Sequence, residues 1–127
     1  MKVKGLDGKI HSWPLKYAKG ARQTSKLHAK VREFLKNKYP TYQILEEVKI
    51  PGSRLRLDFY IPGLKMAVEC HGEQHYKYNS MFFSDKLSFY RAISRDKSKE
   101  QWCVDNGITL IILNFNESID EWQAKFD

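Results

Sequence analysis

Residues 57–75, LDFYIPGLKMAVECHGEQH, constrain the fold more than any other part of the chain. Two apolar strand patterns flank Pro62-Gly63, and each carries an acid that a plain core would exclude, Asp58 in the first and Glu69 in the second. Strands joined by so short a turn pair antiparallel. In the first, Leu55, Leu57, Phe59 and Ile61 are expected on one face, with Arg56, Asp58 and Tyr60 opposite. In the second, Met66, Val68 and Cys70 share a face, leaving Ala67, Glu69 and His71 on the other. Both polar sets then meet on one side of the sheet, and the second strand runs on into Gln74 and His75.

A further strand, over about residues 42–50, precedes Pro51-Gly52 and completes an antiparallel meander. Before it, Leu27, Val31, Phe34 and Leu35 fall at helical spacing, with Thr24 or Ser25 placed to cap the start and Pro40 to bound the end. After the meander, a long helical region over residues 84–106 stops at Gly107. Ala92, Ile93, Asp96 and Cys103 lie close to one stripe of it, so Asp96 is expected at the edge of the core. The run ITLIILNF, residues 108–115, is apolar at successive positions and predicts a buried parallel strand. Ile119, Trp122 and Phe126 form the apolar stripe of a last helix, giving the order α, β, β, β, α, β, α.

At 127 residues the chain suits one domain. Its net charge of +7 is unevenly spread: residues 1–40 carry +9 and the remainder −2. A field concentrated at one end fits a polyanionic partner, because each neutralised phosphate releases condensed counterions. Residues 1–23, with Gly5, Gly8, Pro14 and Gly20, read as a basic N-terminal arm, with a hairpin around Asp7-Gly8 and Trp13 and Leu15 as its anchors; residues 24–127 form the domain. The expected backbone contacts are Lys16, Lys19 and Arg22 of the arm and Lys26 and Lys30 of the first helix. Tyr76, Tyr78, Phe82 and Phe83 either stack on unpaired bases or cover the sheet edge. Cys70 and Cys103 sit in apolar patterns and are expected as reduced thiols of an intracellular, cytoplasmic protein with no membrane segment.

Two carboxylates from neighbouring strands make a hard-oxygen site for Mg²⁺ or Mn²⁺. Such an ion polarises a phosphoryl oxygen and acidifies a bound water. With Asp58 and Glu69 as ligands, His75 can take the water's proton, Asp96 can fix its tautomer, and His71 can stabilise developing charge; the two histidines can also exchange roles. The alternatives are an Asp58 paired with Arg54 or Arg56, and a zinc site on His71 and His75, against which Gly72 and the strand pattern argue.

At these residues the chain resembles the PD-(D/E)XK nuclease superfamily. Within it the likeness is to the branch of very short patch repair endonucleases, homing endonucleases with an EDxHD site, and small domains ending a strand in acid-x-Asp-Gly-x-Gln-His. That signature stands here as Glu69-Cys70-His71-Gly72-Glu73-Gln74-His75, and the likeness covers about residues 24–116. It implies a restriction-endonuclease-like αβββαβ core with a mixed sheet in an α/β fold. It also implies Asp58 and Glu69 as metal-binding acids, His75 as general base, Asp96 as its orienting acid, and Gln74 beside the nucleic acid. His71 replaces the usual Asp before Gly, and His28 stands where a first-helix Glu is common, which weakens a second metal site. The implied activity is that of a Mg²⁺-dependent DNA endonuclease, phage or mobile-element encoded, nicking or cutting. The competing readings are a nucleic-acid-binding module of the same fold without catalysis and a metal-bound domain unrelated to nucleic acid. DNA against RNA, and monomer against dimer, stay open at this level.

Overall fold

The structure is a computed structural model describing residues 2–13, 15, 25–72 and 85–127. Strands β1 (Lys2–Lys4) and β2 (Ile10–Ser12) form a hairpin; helix α1 spans Lys26–Lys38; β3 (Leu45–Lys49), β4 (Arg56–Ile61) and β5 (Met66–His71) follow. Helix α2 (Lys86–Asp105), strand β6 (Thr109–Asn114) and helix α3 (Ile119–Ala124) complete the chain. The fold is α/β with a mixed four-stranded sheet in the order β3-β4-β5-β6, antiparallel except for β5 and β6, which run parallel. A parallel pair needs a long connection, and α2 lies within it.

Local signals account for the element ends. The Ser25 hydroxyl accepts the His28 N–H at the start of α1, so Ser25 rather than Thr24 is the cap. Asp85 caps α2 through the Ser88 N–H. Gly107 follows its end at φ 65°, a left-handed conformation that favours glycine.

The sheet is covered on both faces. Val31 and Leu35 of α1 and Trp122 of α3 pack with Phe59, Ile61, Val68 and Leu113, while Trp102 and Cys103 of α2 pack with Tyr60, Ala67, Val3 and Trp13. Cys70 and Cys103 thus belong to opposite faces and both thiols are free. Burial pushes the Cys103 thiol up to about 12 and raises Cys70 as well.

Two expectations need correction. The run expected as a buried strand is, among the described residues, the sheet's edge: Leu110, Ile111 and Ile112 are half-buried and Leu113 of β6 is fully buried, with no further described strand beyond it. The alternation in β4 breaks at Asp58. Phe59 and Ile61 face α1, but Leu57 joins the other cluster, and Tyr60 is buried against Trp13 at 4.6 Å instead of sharing a polar face. The break faces Glu47, which lies between the Glu46↔Phe59 and Val48↔Leu57 partners and takes φ 54°. Residues 2–13 are anchored as expected through Trp13. The expected hairpin is present and inserts Val3 and Trp13 into the core, with the Trp13 indole donating to the Lys49 carbonyl at 3.0 Å and that of Trp102 to the Lys4 carbonyl at 2.7 Å.

Among the described residues, no helix is long and apolar enough to cross a membrane.

Candidate functional site

The β4–β5 ladder runs Ile61↔Met66, Tyr60↔Ala67, Phe59↔Val68 and stops there. Beyond it, side chains replace backbone pairing: the Asp58 N–H donates to Glu69 Oε2 at 2.7 Å, and the Cys70 N–H donates to Asp58 Oδ2 at 2.8 Å. The two acids expected to be neighbours are therefore interlocked.

Glu69 is only 3% exposed, and its other oxygen, Oε1, accepts from Lys99 Nζ of α2 at 2.8 Å. Burial, reinforced by the Asp58 carboxylate, pushes the Glu69 carboxyl up to about 8 against the pull of Lys99. Lys99 itself is raised: its own burial opposes the charged form, but Glu69, Asp58 and Asp96 overcome it.

Asp58, Glu47, Asp96 and Lys99 face a hollow of about 310 Å³ whose other charged walls are Arg54, Arg56 and Arg95. The expected inward placement of Asp96 holds, since it lies on the α2 side of this hollow. Behind Asp58 sits a buried polar chain. His28, 5% exposed, is stacked 4.4 Å from the Phe59 ring, and its Nε2 is 2.9 Å from Glu46 Oε1. Glu46, 7% exposed, takes a fork from Arg32: Nε donates to both carboxylate oxygens at 3.1 and 2.9 Å and Nη2 to Oε1 at 2.9 Å. Burial works against the Glu46 carboxylate, but Arg32 and His28 outweigh it and hold its pKa below the ordinary value. Ligand atoms of His28, Glu47 and Asp58 all lie within 4.8 Å of one another.

The expected pair of metal ligands, Asp58 and Glu69, is thus brought together, with Glu69 also tied to Lys99. Both Glu69 oxygens accept hydrogen bonds and Asp58 Oδ2 accepts the Cys70 N–H, whereas the Glu47 carboxylate has no hydrogen-bond or ion-pair partner among the described residues. Among the described residues, Glu47 and His28 are companions that could hold an ion beside Asp58.

Of the remaining expected residues, His71 is buried at the end of β5, paired in register with Asn114 of β6. Lys26 is exposed on the first turn of α1. Lys30 points elsewhere, with its ammonium 5.0 Å from the Trp122 ring in the groove between α1 and α3. Lys16, Lys19, Arg22, Gln74 and His75 lie outside the described residues, as do Tyr76, Tyr78, Phe82 and Phe83.

Sequence reasoning missed Lys99, Glu46, Glu47 and Arg95, and placed Arg54 and Arg56 only as alternative partners of Asp58. Lys99 had a signal: it is three residues beyond Asp96 and four before Cys103, a cation on the stripe that packs against the sheet. Glu46 and Glu47 had none, because the left-handed turn of the chain at Glu47 is invisible to a period-two pattern.

No known family profile and no solved structure matches the chain. Two curated proteins are similar to parts of it. "Uncharacterized protein 307L" of Invertebrate iridescent virus 6 is 44% identical over 57 residues, covering 45% of this chain and 29% of that protein. "Uncharacterized protein 033L" of Invertebrate iridescent virus 3 is 36% identical over 62 residues, covering 49% of this chain and 32% of that protein. The matched stretches span under a third of these relatives' own lengths.

Proposed function

We propose that the hollow hydrolyses phosphodiester bonds in nucleic acid, DNA first, as a divalent-metal-dependent endonuclease with a restriction-endonuclease-like core. The observation that carries this reading is the meeting of Asp58, Glu47, Asp96 and Lys99 with Arg54, Arg56 and Arg95 around one cavity. Anionic groups alone would repel a phosphate and cationic ones alone would merely bind it. Side by side, the arginines hold a phosphate by charge-assisted hydrogen bonds while the carboxylates attract a cation next to it.

A divalent ion bound beside Asp58 would supply Lewis-acid polarisation of a phosphoryl oxygen. The chain's own residues do the rest. Asp58 is fixed in orientation by the Cys70 N–H, and Lys99, tied to Glu69, places a positive charge on the cavity wall where charge develops on the phosphate. Asp96, on the same wall, orients a proton acceptor; the sequence offers His75 for that role. The viral relatives fit an enzyme encoded by a virus or mobile element and acting inside its host cell.

The test is conversion of supercoiled plasmid to nicked or linear form with Mg²⁺ or Mn²⁺. Wild type is expected to cut, and Asp58→Asn to lose about 100-fold or more of the rate. Plasmid that stays intact yet shifts on a gel with both proteins overturns this reading in favour of a binding module that keeps the fold without the chemistry.

A further inference from the structure

We propose that His28, Glu47 and Asp58 form a binding site for a first-row transition-metal dication, with Mn²⁺ preferred over Mg²⁺. The proposal rests on the phosphodiesterase reading for what the ion is for, but not for the ion itself.

Three elements bring the ligands together: His28 from α1, Glu47 from β3 and Asp58 from β4. Their ligand atoms lie within 4.8 Å of each other, against about 4.2 Å between two ligands on opposite sides of one ion, twice a bond of roughly 2.1 Å. The His28 ring is 5% exposed and gives Nε2 to Glu46; its Nδ1 has no hydrogen-bond partner among the described residues. An imidazole beside two carboxylates, drawn from three separate elements, makes a mixed nitrogen and oxygen ligand set for a cation.

The surroundings match a metal-bound histidine. A ligating imidazole generally gives its second nitrogen to a carboxylate, which fixes the tautomer and raises the basicity of the coordinating nitrogen. Here that carboxylate is Glu46, clamped by the Arg32 fork at 2.9 Å. The ligand set also decides the ion. Mg²⁺ prefers oxygen and keeps most of its waters, whereas imidazole favours the first-row transition metals. Glu69, with both oxygens engaged by Lys99 and the Asp58 N–H, is left outside the coordination sphere.

The full chain, free of nucleic acid, is titrated with MnCl₂ and followed by electron paramagnetic resonance. The expected result is one bound Mn²⁺ that a hundredfold excess of MgCl₂ does not displace, with electron spin-echo modulation from a directly bound imidazole nitrogen. His28→Gln abolishes the nitrogen modulation. Because loss of the buried His28 can unfold the chain, Glu47→Gln carries the same test at a half-buried position. It raises the Mn²⁺ dissociation constant by about tenfold or more while melting remains cooperative.

Absence of Mn²⁺ binding, bound Mn²⁺ without nitrogen coupling, displacement by Mg²⁺, or an unchanged dissociation constant in Glu47→Gln each overturns the site. Mn²⁺ bound through His28 in a protein that leaves plasmid intact instead sinks the phosphodiesterase reading and leaves the site standing. Plasmid cutting that persists with no Mn²⁺ affinity lost in Glu47→Gln does the reverse.

Discussion

Asp58 and Glu69 are interlocked through the backbone: the Asp58 N–H donates to Glu69 Oε2 at 2.7 Å, and the Asp58 carboxylate accepts the N–H of Cys70 at 2.8 Å. Each acid thereby satisfies a main-chain donor that the ended ladder leaves behind. The same link explains why Glu69 tolerates burial, since both its oxygens accept hydrogen bonds, the second from Lys99.

Replacing Lys99 with Met removes that cation and raises the Glu69 carboxyl beyond its present value of about 8. An acid whose pKa is raised by folding costs stability as pH climbs from its ordinary value to its folded one, and no more beyond. Wild type therefore levels off above pH 8 on this account, while Lys99→Met keeps falling, by about 1.4 kcal/mol for each further unit of pKa. Urea unfolding at pH 6 and pH 9.5 checks this. Equal losses over that interval in both proteins would show that Lys99 does not govern Glu69.

Glu46 has the opposite sign. With its pKa held low by Arg32 and His28 against burial, it adds stability above the ordinary carboxyl range that is lost as pH falls through the lowered value. Glu46→Gln is expected to cost about 3 kcal/mol at pH 7, the low end for a broken buried pair because the Arg32 side chain keeps 22% exposure. The gap to wild type should narrow below pH 4 in denaturation curves, and a gap independent of pH would assign the loss to packing alone.

Trp13→Ala removes a core indole that touches Tyr60 at 4.6 Å and Trp102 at 5.2 Å. A loss of about 3–5 kcal/mol in urea unfolding is expected. A loss under about 1 kcal/mol, the scale of a surface change, would return residues 2–13 to the status of a detachable arm.

Binding to a short DNA duplex should weaken steeply with salt. The paired variant Arg54→Gln, Arg95→Gln should lower the slope of log affinity against log salt by about 1.8, two phosphate contacts at roughly 0.9 each. A slope equal to wild type would place the nucleic acid away from the hollow.

Local patterning carried much of the architecture. The spacing of Leu27, Val31 and Leu35, the Pro51-Gly52 and Pro62-Gly63 breaks, and the Gly107 stop are each read within a few residues, and they set the order from α1 to α3 and the parallel β5–β6 pair. The short turn between the two strands likewise brought Asp58 beside Glu69, although the alternation in β4 breaks at that residue.

The N-terminal excess of +9 pointed to Lys16, Lys19, Arg22, Lys26 and Lys30, the first three of which lie outside the described residues; among the described residues the cations facing the hollow are Arg54, Arg56, Arg95 and Lys99, from a region whose net charge is −2. A sum over sequence does not report direction: Lys30 turns to Trp122, while Lys99 turns inward to Glu69.

By itself, then, the sequence determined the elements, their order and the meeting of two strand acids, because hydrogen bonding and hydrophobic period act between near neighbours. Only the tertiary structure decided that Lys99 neutralises Glu69 across 30 positions, that Glu46 joins α1 to β3, and that the left-handed Glu47 turns a third acid toward Asp58. Those contacts depend on how α1 and α2 settle on opposite faces of one sheet, a packing that no local pattern encodes.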